Sequence, residues 1–427
     1  MPETLTTSTR PCPGCGARIV TDPRFTAWCP VCEWNLGAEP SRGRWRRWRR
    51  ARDHARVERL YAKLAARPAD LRIGRGAAWL LAVLLAALVH LCTLGVLAGS
   101  LWLLVRGYPF LKLLGAAGLC LTWLLRPRLG GWRGDPAVLA REQAPALYAL
   151  VERVADELGT RRPDRLRITR AYNASYGVRG LRRRVELSLG LPLWTALTGQ
   201  ERIALLGHEL GHGSNGDQRR GPWLHTALRT LEAWHALMMP HAGDRFRPRN
   251  GSKRAFDDLV TWLLLWCAVP VRLLHGALHR LTALSSQRAE YLADEMAARV
   301  ASSAAAGGML GKLFLKDSVG NHVSQLRAAA RNRALPAGAD PVEEFWTGLS
   351  AYLESVPATE RERRARLSAR EMTAVDTRHP PTHLRVRLRS ERPQQPAAVV
   401  ADRSQWAAIH RELAPARRRI AHELIDF

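Results

Sequence analysis

The residues best equipped for chemistry lie in one run, His208-Glu209-Leu210-Gly211-His212. In a helix, positions i and i+4 share a face, so both imidazoles can take corners of a zinc tetrahedron. Glu209, turned by about 100°, can reach a water at the metal as general base. Thr198-Gly199-Gln200-Glu201 reads as a capping box that starts this helix, Ile203, Leu206 and Leu210 form its buried side, and Gly213 stops it. Asn215 and Asp217 follow as turn formers or as partners of the ligand side chains. The chain has 14 histidines, so a chance match is the competing explanation. His422-Glu423-Leu424 opens in the same way but has no second histidine, and reads as a plain helix face.

Two histidines leave zinc one protein ligand short. Glu290 and Asp294, i and i+4 in Ser286-Gln287-Arg288-Ala289-Glu290-Tyr291-Leu292-Ala293-Asp294, offer a pair in which one carboxylate binds metal and the other orients a ligand histidine. Two solvated carboxylates on a surface helix would have the same spacing. A second metal site is indicated at the N-terminus. Cys12-Pro-Gly-Cys15 and Cys29-Pro-Val-Cys32 are separated by thirteen residues, a spacing at which four thiolates surround one structural zinc. Two disulfides or a redox pair are the alternatives. Residues 1–11 carry no apolar run, which reads as a reducing compartment and favours zinc. Such a ribbon binds protein or nucleic acid, and its partner is undefined.

The formal net charge is +27, yet 60 of the 65 basic residues are Arg, a bias that tempers any inference of nucleic-acid binding. Thirteen Arg or Lys against three acids fall in residues 41–76, interleaved with Trp45 and Trp48. Ala77 to Val105 then runs for 29 residues without Asp, Glu, Lys or Arg, longer than the ~20 needed to cross a bilayer. After Arg106-Gly107-Tyr108-Pro109, a second apolar run from Phe110 to Leu125 completes a helical hairpin; the competing reading of that run is a buried globular helix. With two spans, the basic collar and the Arg126 to Arg133 flank share the cytoplasmic side. Leu259 to Val271 is a further uncharged run, read as a third span, buried core or, preferably, a helix lying at the membrane and kinked at Pro270.

Between the hairpin and the histidines, Arg167-Ile168-Thr169 and Val185-Glu186-Leu187-Ser188-Leu189 read as short strands after an amphipathic stretch from Glu142 to Leu158. Helices are expected from Ser302 to Leu315, Pro341 to Ser355, Ala358 to Glu371 and Arg403 to Ile425. Glu360-Arg361-Glu362-Arg363-Arg364 reads as a solvated helix face.

The histidine run, Asn215 and Asp217, the Glu290-Tyr291-Leu292-Ala293-Asp294 segment, the upstream hairpin, Asn173-Ala174-Ser175 and His379-Pro380-Pro381-Thr382-His383-Leu384-Arg385 together resemble the HtpX-like membrane zinc endopeptidases, relatives of the CAAX prenyl proteases, over roughly residues 70–390. The resemblance implies that His208, His212 and Glu290 bind zinc, Glu209 is the base and Asp294 supports a ligand histidine. It also implies that Val185–Leu189 is the edge strand that takes substrate by backbone pairing, and that His379 and Arg385 stabilise the oxyanion or hold the C-terminal segment to the site. The ribbon and basic collar lie outside the family pattern.

The expected fold is mainly α with a small sheet (α+β). A zinc ribbon spans residues 1–40, a basic juxtamembrane segment 41–76, a transmembrane hairpin 77–126, a zincin-like peptidase domain 135–390 with an apolar insertion at 259–284, and a helical tail 391–427. The expected activity is endopeptidase hydrolysis in membrane-protein quality control or processing, in a multi-pass cell-membrane protein with N-terminus and catalytic domain in the cytoplasm. Two zinc ions, polypeptide substrates, the bilayer and a ribbon partner complete the set, with nucleic acid as the less favoured partner. The competing function is a catalytically silent, membrane-tethered binding module.

Overall fold

The computed structural model describes residues 8–37, 44–66, 76–125, 135–179, 184–214, 217–239, 251–332, 340–371 and 380–425. Asn215 and His379 lie outside them. In chain order the helices are α1 (Arg44–Ala66), α2 (Ala77–Arg106), α3 (Pro109–Leu125), α4 (Pro145–Glu157), α5 (Leu191–Ala196), α6 (Gly199–Ser214), α7 (Asp217–Met238) and α8 (Gly251–Ala301). They continue with α9 (Ser303–Leu313), α10 (Lys316–Asn332), α11 (Pro341–Ser355), α12 (Ala358–Glu371), α13 (Thr382–Ser390), α14 (Arg403–Glu412) and α15 (Ala414–Ile425). The strands are β1 (Ser8–Pro11), β2 (Arg18–Thr21), β3 (Val138–Leu139), β4 (Arg165–Thr169), β5 (Ala174–Arg179) and β6 (Arg184–Gly190). The α+β expectation holds. The chain folds as two units, one from residues 1–72, 132–215 and 287–427, the other from 73–131 and 216–286.

In the first unit the sheet order is β3-β4-β6-β5. β6 runs parallel to β4, with Leu166 opposite Leu187, and antiparallel to β5, with Tyr176 opposite Leu187. This corrects the expectation for Val185–Leu189: that strand is interior, with backbone pairing on both sides. Its alternating Val-Glu-Leu-Ser-Leu pattern fits an edge or an interior strand equally well, because periodicity reports faces and not neighbours. Among the described residues the sheet ends at β3 and at β5, and β5 packs beside α6.

Leu150, Leu166, Leu187, Leu206, Ala297 and Trp346 share one core with Ile409, Leu413 and Ile420 of the C-terminal helices. The Glu412 carboxylate accepts from the backbone N–H groups of Ala146 (2.7 Å) and Leu147 (2.9 Å), meeting the unpaired donors at the start of α4. Residues 403–425 thus belong to the main core.

The solvated face expected at Glu360–Arg364 is also corrected, since Glu360 and Arg363 are 2% and 5% exposed. Arg363 makes a fork-like pair with Glu360 (2.6 and 2.8 Å) and donates to the Leu36 carbonyl at 2.9 Å. Arg366 donates to the Pro30 carbonyl and the Trp28 indole N–H to the Thr359 carbonyl. A mixed-charge helix reads as solvated, but here its arginines satisfy carbonyls of the N-terminal cysteine module and seat it on α12. Val57, Leu60, Tyr61 and Leu64 of α1 pack with Tyr291, Leu384 and Leu388, and the Tyr61 hydroxyl donates to Glu391 at 2.5 Å.

In the second unit α2 and α3 form a hairpin whose tightest contact sits at small residues. A Cβ on Gly118 would lie 2.2 Å from Ser100 Oγ, so only glycine permits the approach. Ala82, Ala86 and Val89 pack against Ala227, Leu228 and Leu231 of α7 and Leu278 of α8. Among the described residues two helices are long and apolar enough to cross a membrane, Ala77–Arg106 and Asp258–Ala301, whereas the apolar stretch of α3 is shorter. Leu84, Leu91 and Trp102 of α2 and Leu263, Trp266 and Leu273 of α8 are exposed. α8 runs unbroken through Pro270.

Replacing Arg363 by Met should loosen the cysteine module by roughly 1.5–3 kcal/mol, the usual worth of a charge-assisted hydrogen bond. Faster amide exchange in residues 8–37 with unchanged exchange in α4 checks this.

Candidate metal centre

α6 starts as its sequence dictates. Glu201 accepts from the Thr198 N–H at 2.8 Å, while the Glu201 N–H donates to Thr198 Oγ1 at 3.4 Å, the two halves of a capping box. Two glycines then decide what the helix can meet. A Cβ on Gly207 would sit 2.3 Å from Val300 Cγ2, and one on Gly211 would press on Met296 Cβ and Ala293 Cα at 3.1 and 3.2 Å. Their bare faces let the C-terminal part of α8 lie against α6, opposite Ala293 and Ala297. These glycines were not singled out from the sequence; their i, i+4 spacing beside the histidines is the signal that marks them.

That approach brings three donors together. His208 Nε2 lies 3.5 Å from Glu290 Oε2, and His212 Nε2 lies 3.5 Å from Glu290 Oε1. Ligands about 2.05 Å from a tetrahedral zinc are about 3.35 Å apart, so the spacing suits that ion. Glu209 follows His208 in the same buried stretch. Asp294 Oδ1 is 3.0 Å from His208 Nδ1, leaving the other ring nitrogen turned to Glu290. Asp294 is held in turn by Arg385 of α13, through Nε to Oδ2 at 2.8 Å and Nη2 to Oδ1 at 2.6 Å. Arg385 Nη2 also lies 3.5 Å from Glu290 Oε2.

The charges complete the picture. Glu209, Glu290, Asp294 and Arg385 are all at most 7% exposed, so with His208 neutral, as a metal ligand must be, three carboxylates against one guanidinium leave two negative charges in a dry site. A dication is what such a site fits. Burial disfavours an imidazolium at His208, but Asp294 and Glu290 outweigh it and raise the group to about 10. Burial would raise the Asp294 carboxyl, yet Arg385 and His208 hold it below the usual carboxylate range.

The family model described as Peptidase family M48 matches residues 141–391, well over half of the chain. The chain belongs to peptidase family M48. The matched region contains the whole cluster from His208 to Arg385. No curated protein and no solved structure matches the chain significantly. As an M48 metalloendopeptidase it hydrolyses polypeptides, and M48 peptidases use zinc.

Of the other predicted residues, Asp217 is the first residue of α7, and Val185–Leu189 is the interior strand described above. Cys12, Cys15, Cys29 and Cys32 converge, their sulfurs all within 4.8 Å of one another. Cys12 to Cys32 is 3.6 Å and Cys15 to Cys29 is 3.7 Å, near the about 3.75 Å separation of thiolates on one zinc with Zn–S of ~2.3 Å. Gly16, at φ +74°, makes the left-handed turn of the first knuckle.

Gly207→Ala should destabilise the M48 domain by about 1–3 kcal/mol and lower metal affinity at the histidines, and adding Val300→Ala should restore both. Thermal unfolding and zinc titration of the single and double variants check this. Arg385→Lys should keep the charge but lose the fork, lowering zinc affinity about 10–100-fold, as read by competition with a chelating dye.

Proposed function

We propose that this M48 chain is a membrane-anchored zinc endopeptidase in which His208, His212 and Glu290 hold the metal and Glu209 is the general base. The observation that carries this reading is the pair of 3.5 Å separations joining Glu290 to both histidines across α6 and α8. Zinc, when bound, polarises the scissile carbonyl and acidifies the water it holds. Glu209 would serve as the base that accepts a proton from the attacking water and returns it to the leaving amine. Asp294 keeps His208 in the tautomer that presents Nε2, and Arg385 keeps Asp294 in place. Burial of all four charged groups excludes bulk water from their fields. Ala174–Arg179, the sheet edge beside α6, replaces Val185–Leu189 as the strand on which an extended peptide pairs.

The membrane part of the reading rests on the apolar faces of α2 and α8, which would be costly in water and are ordinary in lipid. The basic residues of 41–76 set the N-terminus and the peptidase domain in the cytoplasm, in a multi-pass arrangement. The cysteine module is a structural zinc ribbon, and the substrates are membrane or membrane-proximal proteins in quality control or processing.

Glu209→Gln should keep zinc at the histidines and cut cleavage of unfolded casein by roughly 10²–10⁴-fold. Metal analysis with single-turnover cleavage decides it, and full activity in the variant removes Glu209 from the mechanism.

A further inference from the structure

A third cluster of metal-ligating side chains lies in the unit formed by residues 73–131 and 216–286, outside the two clusters described above. Glu232 of α7 and His275 and His279 of α8 place one donor atom each within 4.8 Å of one another. His275 Nε2 is 3.5 Å from Glu232 Oε1, the separation that also joins Glu290 to His208 and His212. The His275 and His279 rings meet edge to face at 4.7 Å and 75°, close to the 4.9 Å and 86° of His208 and His212. His275 Nε2 is moreover buried and makes no hydrogen bond among the described residues. Leaving such a nitrogen unsatisfied costs about 1–3 kcal/mol, a cost that a metal ligand does not bear.

The sequence repeats the pattern with one decisive change. His275-Gly276-Ala277-Leu278-His279 has the i, i+4 histidines of the catalytic run, but Gly276 stands where that run has Glu209. With no carboxylate beside the first histidine, the cluster has the ligands of a zinc site and lacks its base. We propose that Glu232, His275 and His279 form a third, non-hydrolytic divalent-metal site of zinc class that staples α7 to α8. Glu232 has half of its side chain exposed. α8 continues about three turns beyond His279 to Glu290.

The test uses the full-length protein in lipid nanodiscs, equilibrated with micromolar free zinc and washed, with bound zinc measured by mass spectrometry. His275→Asn with His279→Asn should hold one zinc fewer per chain than the parent, and His208→Asn with His212→Asn should independently hold one fewer. In the latter background, zinc should slow amide exchange in residues 217–239, and adding Glu232→Gln should abolish that slowing. Glu232→Gln is a conservative change at a half-exposed position, so this second readout stands even if the double histidine variant misfolds. Unchanged zinc content in a folded His275/His279 variant, or slowing that persists with Glu232→Gln, overturns the proposal.

Discussion

How near α8 comes to α6 decides whether this protein has a metal centre. The histidines belong to one helix and Glu290 to another, so the distances between donors are set by a backbone contact. Gly207 and Gly211 face Ala293 and Ala297 across that contact, and the small groups remove the layer of side chains that would hold two helices at ordinary spacing. Coordination tolerates errors of only about 0.5 Å, so even a methyl group at the interface matters to the chemistry. Arg385 adds a third element, because its grip on Asp294 ties α13 to the same helix pair. The Leu384, Leu388 and Tyr291 cluster then extends that tie to α1.

The same geometry gives the site its electrostatic character. Burying Glu209, Glu290 and Asp294 together is unfavourable unless positive charge is supplied, and Arg385 supplies only part of it. Fold stability and metal affinity are therefore linked: a cation that neutralises the remaining charge binds the native state and not the unfolded chain. Asp294 is the pivot, since it answers to Arg385 on one side and His208 on the other.

Much of the centre was legible before any coordinates. The capping box, the i, i+4 histidines and the Glu290 to Asp294 repeat are local patterns in which helix periodicity alone brings groups to one face, and the structure keeps each of them. What escaped was information about neighbours. Val185–Leu189 alternates as any half-buried strand does, and nothing in it says that β4 and β5 flank it on both sides. Glu360 and Arg363 have the composition of a water-facing helix, and only the distant Leu36 carbonyl turns that pair into an anchor. Gly207 and Gly211 look like poor helix formers until the partner helix is seen. Local pattern is encoded in adjacent residues, whereas partnership is settled by the tertiary fold.

The unit that holds the centre is written in three pieces along the chain, with the apolar helices between them. His208 lies in the second piece and Glu290 and Arg385 in the third, so the apolar segment of residues 216–286 is synthesised between the two halves of the cluster. Until residue 290 is made the histidines exist without their carboxylate. The order of the chain thus separates the histidines from Glu290 in time as well as in sequence: the donor set is complete only after the apolar segment between them has been made.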